Sequence, residues 1–265
     1  MKNIILKSSL SSDGILKLTL NSPHNHNALS EEMMHNIQSC LDDSINDKQV
    51  RVIIISSEGP TFSAGHDLKE LTLGRKNPDK GRNYFKKIMT KCSKLMMTIV
   101  KNPKPIIAEV SGTATAAGCQ LVASCDLAYA SKSAKFATPG VNIGLFCSTP
   151  MVAVSRNLSN KHSMEMLLSG ELVSADKAES IGLINKAVED SLLQKYSFNM
   201  ALKISKKSAI TLKIGKEAFY KQIDMTLSEA YDYASNVMVE NMLKSDAEEG
   251  IGAFINKRKP NWQDK

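Results

Sequence analysis

The chain has 265 residues, a formal net charge of +7 at pH 7 and 42% hydrophobic residues, which is ordinary for one large globular domain. No apolar run is long enough to cross a bilayer, so we expect no membrane span. Five cysteines without a C-x-x-C pair, and no evident secretory signal, predict reduced thiols and a cytoplasmic location. The charge favours a polyanionic partner, but no RNA-binding or zinc-finger motif is present, so we expect neither a nucleic acid partner nor a metal site.

The first part of the chain alternates strand and helix signals. Residues 14–23 alternate apolar and polar side chains, which predicts a half-buried strand. Residues 30–45 place apolar side chains on one helical face, and Ser30 is suited to cap that helix. Short apolar runs at 52–55 and 106–110 predict buried strands. This order predicts an α/β fold, with a parallel or mixed sheet covered by helices.

Strand signals stop after about residue 190. The sequences "TLSE" at 226–229 and "SDAE" at 245–248 have the spacing of capping boxes, which predicts that helices begin at both places. We therefore predict an α/β core over residues 1–190 and a C-terminal helical domain over residues 191–265.

A run of small residues from Gly112 to Gly118 follows the predicted strand at 106–110 and precedes a predicted helix. The first N–H groups of a helix have no partner within the helix and carry partial positive charge. Small side chains there would let a phosphate or a developing oxyanion approach those N–H groups. Close packing of the helix would require the same small residues, and the sequence leaves both explanations open.

A second turn has the same design. The predicted strand at 52–55 leads to "FSAGHDLKEL" at 62–71, where small residues again precede a predicted helix. Two such turns would supply two backbone N–H donors to one carbonyl oxygen if they lay side by side. The spacing along the chain does not show whether they meet.

Five segments, in order, resemble the successive blocks of the enoyl-CoA hydratase/isomerase (crotonase) family: "FSAGHDLKEL", "KPIIAEVSGTATAAGCQLVASCD", "FATPGVNIGL", "LLSGELVSADKAESIGLINKAV" and "EGIGAFINKRKPNW". The resemblance covers roughly residues 10–262. It implies a crotonase-like spiral of ββα units with a C-terminal helical trimerisation domain. It also implies an acyl-CoA thioester as substrate, no cofactor beyond the CoA of that substrate, and self-association as a trimer or a hexamer.

The resemblance implies a role for particular residues. The backbone N–H groups of His66 and Ala117, the latter beside Gly118, would polarise the thioester carbonyl. Family members usually have glycine where Ala117 stands, and alanine keeps the N–H group. The residues implied to contact CoA are Ala64, His66, Asp67 and Leu68, together with Phe254, Lys257 and Lys259 from a neighbouring subunit. For the two lysines the alternative is a solvated tail, and for the phenylalanine it is a helix core.

The sequence departs from the family pattern at two positions. The hydratases use two glutamates, which align with Gln120 and Gly140 of this chain. Glutamine can hold a water molecule but cannot titrate, and glycine can do neither. Positioned acid–base groups contribute about 10²–10⁴-fold each, so we expect slow hydration by the usual route. The isomerases use a carboxylate near the position of Gly140. Because glycine replaces it here, we expect isomerisation by the usual route to be slow as well.

Three functions therefore remain open. The first is an acyl-CoA-processing enzyme, nominally an enoyl-CoA hydratase. The second is a malonyl-type acyl-CoA decarboxylase or a thioesterase, because stabilising an enolate or a tetrahedral oxyanion needs the backbone donors alone. His66 matches a histidine of the family's methylmalonyl-CoA decarboxylases, although the tyrosine usual in that branch has no match. The third is a non-catalytic acyl-CoA binding protein.

Other side chains near the predicted site have two interpretations each. The ring of His66 could bind a carboxylate or donate a proton, or it could point to solvent or to the nucleotide of CoA. Asn142 could bond to the acyl group or only to its own turn. Cys147 has no evident activating base, which favours a buried thiol over a nucleophile. Glu109 could face either side of its strand, and Asp126 fits a structural role better than a catalytic one.

Overall fold

The computed structural model describes residues 4–265, which contain ten strands and eleven α-helices. The strands are β1 Leu6–Leu10, β2 Ile15–Leu20, β3 Val52–Ser57, β4 Thr61–Ser63, β5 Ile106–Val110, β6 Thr113–Thr115, β7 Leu127–Ser131, β8 Lys135–Ala137, β9 Val173–Ser174 and β10 Lys186–Val188. The helices are α1 Glu31–Asn46, α2 Leu68–Gly74, α3 Arg82–Lys101, α4 Ala117–Ser124, α5 Ser148–Val154, α6 Asn160–Ser169, α7 Ala175–Ser180, α8 Leu193–Ser205, α9 Ala209–Gln222, α10 Leu227–Met242 and α11 Ser245–Ile255. Within the described range, no helix combines the length and apolar character needed to cross a membrane.

The strands form two sheets, with the orders β1-β2-β3-β5-β7-β10 and β4-β6-β8-β9. The pairs β3/β4, β5/β6 and β7/β8 each contribute their first strand to the larger sheet and their second to the smaller one, and helices follow each pair. Within each sheet these strands run parallel. The chain therefore winds as a spiral of ββα units, which confirms the predicted fold class.

The central strands of the larger sheet are buried on both faces. All five residues of β5 are buried, as are the first five of β3, and parallel strands covered on both sides have such continuous apolar sequences. The first helix begins as predicted, since Ser30 Oγ accepts a hydrogen bond from Met33 N at 3.1 Å. Its buried face, which includes Ile37 and Leu41, packs into the main core.

The C-terminal segment is helical from α8 onward, and the last strand ends at Val188. Leu193 and Ala201 of α8 pack against Ile54 and Ile107 on one face of the larger sheet. The first helix of the predicted C-terminal domain, α8, thus packs on the sheet of the predicted core. The domain boundary at residue 190 stays a prediction.

The two predicted capping boxes have different outcomes. The first is confirmed, because Thr226 and Glu229 form both hydrogen bonds of a capping box at the start of α10. The second is wrong, because Lys244 is the N-cap of α11 and Ser245 already lies in the helix. The side chain of Asp246 instead accepts hydrogen bonds from the backbone N–H groups of Gln263 and Asp264.

A buried ion pair attaches α9 to the core. Lys216 Nζ lies 2.7 Å from Asp126 Oδ2, and Tyr220 Oη donates to Asp126 Oδ1 at 3.0 Å. The same ammonium donates to the carbonyl oxygens of Ile99 and Lys104. Burial raises the pKa of Asp126 and lowers that of Lys216, while each group opposes the shift of the other. Asp126 therefore has a structural role, as the sequence favoured.

Candidate active site

The two small-residue turns lie side by side. They follow β4 and β6, which are parallel neighbours in the smaller sheet. A Cβ atom added to Gly65 would lie 2.9 Å from Ala117 N, so the backbones of the two turns are in contact. Thr115 Oγ1 also donates a hydrogen bond to Ala64 O at 3.2 Å. The structure therefore answers the question that the sequence left open.

Each turn presents one unused backbone donor. The N–H groups of His66 and Ala117 have no acceptor among residues 4–265. Ala117 is the first residue of α4, and an N–H group in that position has no partner within its own helix. The backbone at His66 is held beside Leu29, whose N–H group donates to Gly65 O at 2.7 Å. Two neighbouring donors of this kind can both bind one ligand oxygen.

Gly118 has a packing role. A Cβ atom at this position would lie 2.2 Å from Ser63 O, far inside van der Waals contact. The glycine therefore allows α4 to pack directly against the end of β4. Of the two explanations for the small residues, close packing holds for Gly118, and the N–H group without an acceptor belongs to Ala117.

The residue before the second donor has a strained backbone. Ala116 adopts φ 50° and ψ −120°, a conformation that residues with a side chain rarely adopt. Its N–H group donates to Ala137 O at 2.9 Å, which fixes the turn to β8. Strain of this kind sets the direction of the next peptide group, which carries the N–H of Ala117.

We expect Ala116→Gly to increase the free energy of unfolding by about 1 kcal/mol. Relief of strain is worth roughly 1–3 kcal/mol, and the greater freedom of glycine in the unfolded chain offsets about 0.4–1 kcal/mol of it. Urea unfolding of the variant and the wild type measures the difference. Ala201→Gly, in the interior of α8, is the control and should destabilise the protein. A loss of stability in Ala116→Gly would show that the backbone here is not strained.

Gln120 is buried on α4 and its side-chain oxygen has a weak partner. Cys92 Sγ lies 3.9 Å from Gln120 Oε1 and serves as the donor. Burial raises the pKa of Cys92 to about 12, so the thiol stays protonated. A glutamine held in this way can orient a ligand by hydrogen bonding but cannot accept a proton at pH 7.

The position of the second family glutamate is closed by the chain itself. A Cβ atom at Gly140 would lie 2.7 Å from Leu145 O and 2.9 Å from Cys147 Sγ. Cys147 Sγ also accepts a hydrogen bond from Gly140 N at 3.3 Å. Residues 145–147 therefore occupy the space in which a larger side chain would begin. Burial raises the pKa of Cys147, which argues against a nucleophilic thiolate.

The imidazole of His66 has no hydrogen-bond partner in residues 4–265, although both of its nitrogens are buried. Burial lowers the pKa of His66, because the charged form loses its hydration. The ring is therefore neutral near pH 7. Its nitrogens do not reach solvent, and the role of the ring toward a ligand stays a prediction.

Glu109 lies on the wrong side of the sheet to replace a missing glutamate. Its carboxylate binds Lys17 Nζ at 2.8 Å and accepts a hydrogen bond from Ser197 of α8. Asn142 donates to Gly170 O at 3.5 Å, a contact that supports its turn. The carboxylate of Glu109 is therefore engaged away from the donor pair, while a role of Asn142 toward a ligand stays a prediction.

The residues implied to contact CoA occupy two regions. Asp67 caps α2, since its Oδ1 accepts hydrogen bonds from Lys69 N at 2.8 Å and Glu70 N at 3.2 Å. Ala64 and Leu68 on either side of it are exposed. The roles of these residues toward CoA stay predictions.

The other implied CoA contacts lie at the end of the chain. Phe254 is 86% exposed on α11, which excludes its alternative as a core residue of this protomer. Lys257 and Lys259 are exposed in the segment that follows. Their contribution to a neighbouring subunit stays a prediction.

Glu70 is a further residue near the candidate site, and no sequence pattern assigned it a role there. Its Oε2 accepts a hydrogen bond from Glu31 N at 2.9 Å, which joins α2 to the start of α1. The order Asp67-x-x-Glu70 could have indicated a helix start. The partner is 39 positions away, however, and no local pattern identifies it.

Comparison with known proteins identifies the family of the chain. The model of the enoyl-CoA hydratase/isomerase family matches residues 11–265, and the chain therefore belongs to that family. It is similar to the rat protein named enoyl-CoA hydratase domain-containing protein 3, mitochondrial, with 48% identity over 257 residues, which cover 97% of this chain and 84% of the relative. The human protein of the same name is 48% identical over 250 residues, covering 94% of this chain and 81% of the relative.

Solved structures show the same fold. The crystal structure of human enoyl-CoA hydratase domain-containing protein 3 has a TM-score of 0.93 and 46% identity, covering 97% of this chain and 100% of its own. An enoyl-CoA hydratase of Mycobacterium smegmatis has a TM-score of 0.94 and 43% identity, covering 98% and 99%. The crotonase-like architecture predicted from the sequence is confirmed.

The predicted cytoplasmic location is wrong by the same comparison. The similar proteins of rat, mouse, human and Xenopus laevis are all named as mitochondrial. The prediction rested on free cysteines, which indicate a compartment that keeps thiols reduced. The mitochondrial matrix also keeps thiols reduced, so cysteine usage does not separate it from the cytosol.

Proposed function

We propose that this chain binds acyl-CoA thioesters and polarises the thioester carbonyl between the N–H groups of His66 and Ala117. The observation that carries the proposal is that these two donors lie on turns in contact and have no acceptor among the described residues. Removing one such donor from an oxyanion hole typically costs about 10²–10³-fold in rate. The pair would therefore stabilise an enolate or a tetrahedral oxyanion without any catalytic side chain.

The proposed activity is not efficient hydration. Adding water to an enoyl thioester requires a group that takes a proton from water and one that protonates the α-carbon. Gln120 cannot titrate, and Gly140 has no side chain. Burial holds the neighbouring thiols of Cys92 and Cys147 protonated, and Glu109 faces α8.

Decarboxylation of malonyl-type thioesters is the second candidate, and the charge of the site favours it. Two glutamates near the acyl group would repel the carboxylate of such a substrate, whereas Gln120 and Gly140 are neutral. The bond between the α-carbon and the carboxylate breaks, and carbon dioxide leaves. The electron pair of that bond stays on the substrate and forms the enolate. The N–H groups of His66 and Ala117 would hold the enolate oxygen, and water would then protonate the α-carbon.

We also propose that the chain self-associates, as a trimer or as a hexamer of two trimers. No apolar residue of α9 or α10 is buried in the single chain. Large apolar side chains that are more than half exposed on the last three helices are Phe219, Leu227, Tyr231, Met238, Val239, Met242, Phe254 and Ile255. An apolar surface of this extent supports a protein interface. In such an assembly Phe254, Lys257 and Lys259 would reach the CoA site of a neighbour.

The test compares wild type with Gln120→Glu on crotonyl-CoA, malonyl-CoA, methylmalonyl-CoA and a saturated acyl-CoA. We expect the wild type to bind thioesters, to hydrate crotonyl-CoA slowly and to decarboxylate a malonyl-type substrate. Gln120→Glu should raise hydration, because it restores one titratable group, and the same change at exposed Gln194 should not. Fast hydration by the wild type would overturn the argument from the missing carboxylates. Failure to bind any thioester would overturn the proposed function, and binding without turnover would leave a non-catalytic binder.

A further inference from the structure

We infer that Glu70 is a positioning residue for the backbone N–H of His66, an inference that rests on the function proposed above. Glu70 lies on α2, the helix that follows His66, and its Oε2 accepts a hydrogen bond from Glu31 N at 2.9 Å. Glu31 is the first residue of α1, so its N–H group has no acceptor within its own helix. The contact joins the segment that carries His66 to a separate helix of the core.

Two backbone hydrogen bonds hold the segment on the N-terminal side of His66. Ala64 N donates to His26 O at 3.0 Å, and Leu29 N donates to Gly65 O at 2.7 Å. Both bonds connect the turn to the chain that leads into α1. They fix the peptide groups before His66, and the parallel bridge between Leu29 and His66 holds the backbone only as far as the next residue, not into α2.

On the C-terminal side of His66, the side chain of Asp67 makes only local hydrogen bonds. Its carboxylate accepts from Lys69 N and Glu70 N, both within α2. A helix of seven residues is too short to be stable in isolation, so α2 depends on contacts with the rest of the protein. The bond from Glu70 to Glu31 supplies such a contact. His66 is therefore bracketed by links to one segment, residues 26–31, on both of its sides.

The surroundings of Glu70 indicate that it acts as an acceptor and not as a counter-ion. Burial raises its pKa, and the negative charges of Asp67, Glu31 and Glu32 act in the same direction. The Glu31 N–H group at the positive end of α1 opposes this shift. A neutral acceptor of the same shape should therefore perform the same role, which makes Glu70→Gln an informative variant.

The test measures binding of acetoacetyl-CoA, whose carbonyl oxygen would lie between the two donors, and of CoA, which has no acyl carbonyl. We expect Glu70→Ala to raise the Kd for acetoacetyl-CoA by about tenfold, the effect of roughly one misdirected hydrogen bond. The Kd for CoA should rise by a smaller factor, about two- to threefold, because Asp67 and Leu68 are implied to contact CoA but the N–H donors have no acyl oxygen to bind in it. Glu70→Gln and the exposed neighbour variant Glu32→Ala should bind both ligands as the wild type does.

Hydrogen exchange of the Leu29 and Leu71 amides, which donate to Gly65 O and Asp67 O on either side of His66, gives a second readout that needs no ligand. We expect exchange to be faster in Glu70→Ala than in the wild type, and to return toward the wild-type rate in Glu70→Gln. If wild type fails to bind acetoacetyl-CoA, the proposed function fails, while exchange still decides whether Glu70 orders this segment. Equal behaviour of Glu70→Ala and Glu32→Ala would overturn the inference. So would a loss of CoA affinity as large as the loss for acetoacetyl-CoA.

Discussion

Replacing Lys216 by methionine is expected to lower the free energy of unfolding by about 3–5 kcal/mol, the usual cost of leaving one member of a buried ion pair alone. Lys216 Nζ and Asp126 Oδ2 are 2.7 Å apart, and their side chains are only 8% and 17% exposed. Methionine fills a similar volume but cannot donate hydrogen bonds, so the carbonyl oxygens of Ile99 and Lys104 also lose their donor. Chemical denaturation at pH 7 measures the loss.

The pH dependence of the stability of Lys216→Met shows whether the loss comes from an unpaired carboxylate at Asp126. Burial already raises the pKa of Asp126, and removing Lys216 removes a group that lowers it. A carboxyl group whose pKa is higher in the folded state favours folding when protonated, so the variant should recover stability as the pH falls through the raised pKa of Asp126. Asp126→Asn combined with Lys216→Met should recover stability at pH 7, and exposed Lys213→Met should resemble wild type. A loss that is independent of pH would contradict an unpaired carboxylate as its source.

The larger sheet could be predicted from the sequence because its strands have strong local signals. The apolar runs of β3 and β5 are typical of parallel strands covered on both faces. The smaller sheet could not be predicted, since β4, β6 and β8 have only three residues each. No periodicity can be recognised over three residues, and these strands depend on pairing with distant segments.

The start of α11 shows how a local pattern can mislead. The order "SDAE" at 245–248 matches a capping box, yet the helix begins at Ser245. Asp246 binds the N–H groups of Gln263 and Asp264 from the end of the chain. Asp246 lies inside the same four residues, and its long-range partners follow from no local pattern.

The candidate site was predictable in its parts and not in its assembly. The sequence identified both turns, and the resemblance placed the donors at His66 and Ala117. Their contact depends on the pairing of β4 with β6, which lie about fifty residues apart in the sequence. The direction of Glu109 was equally open, because it depends on which sheet face α8 covers. The closure around Gly140 comes from residues 145–147, which have no pattern that predicts such a fold.

We expect Gly118→Ala to destabilise the protein by about 1–3 kcal/mol, although alanine is the better helix former by about 1 kcal/mol. The added Cβ would lie 2.2 Å from Ser63 O, a backbone atom that cannot rotate away. Relief of this overlap requires α4 to move away from β4. Because Ala117 N begins that helix and touches Gly65, such a movement would also separate the two N–H donors.

Denaturation and acetoacetyl-CoA binding together test this argument, with Gly215→Ala as the matched control. Gly215 lies on α9 and has nothing within 4 Å of an added Cβ, so alanine there should stabilise the protein by up to about 1 kcal/mol. Gly118→Ala should lose stability and acetoacetyl-CoA affinity together, since both depend on the approach of α4 to β4. A stable variant with unchanged affinity would show that this approach is not needed. A stable variant that loses only affinity would instead assign the glycine to direct contact with the ligand, the explanation that the small side chains first suggested.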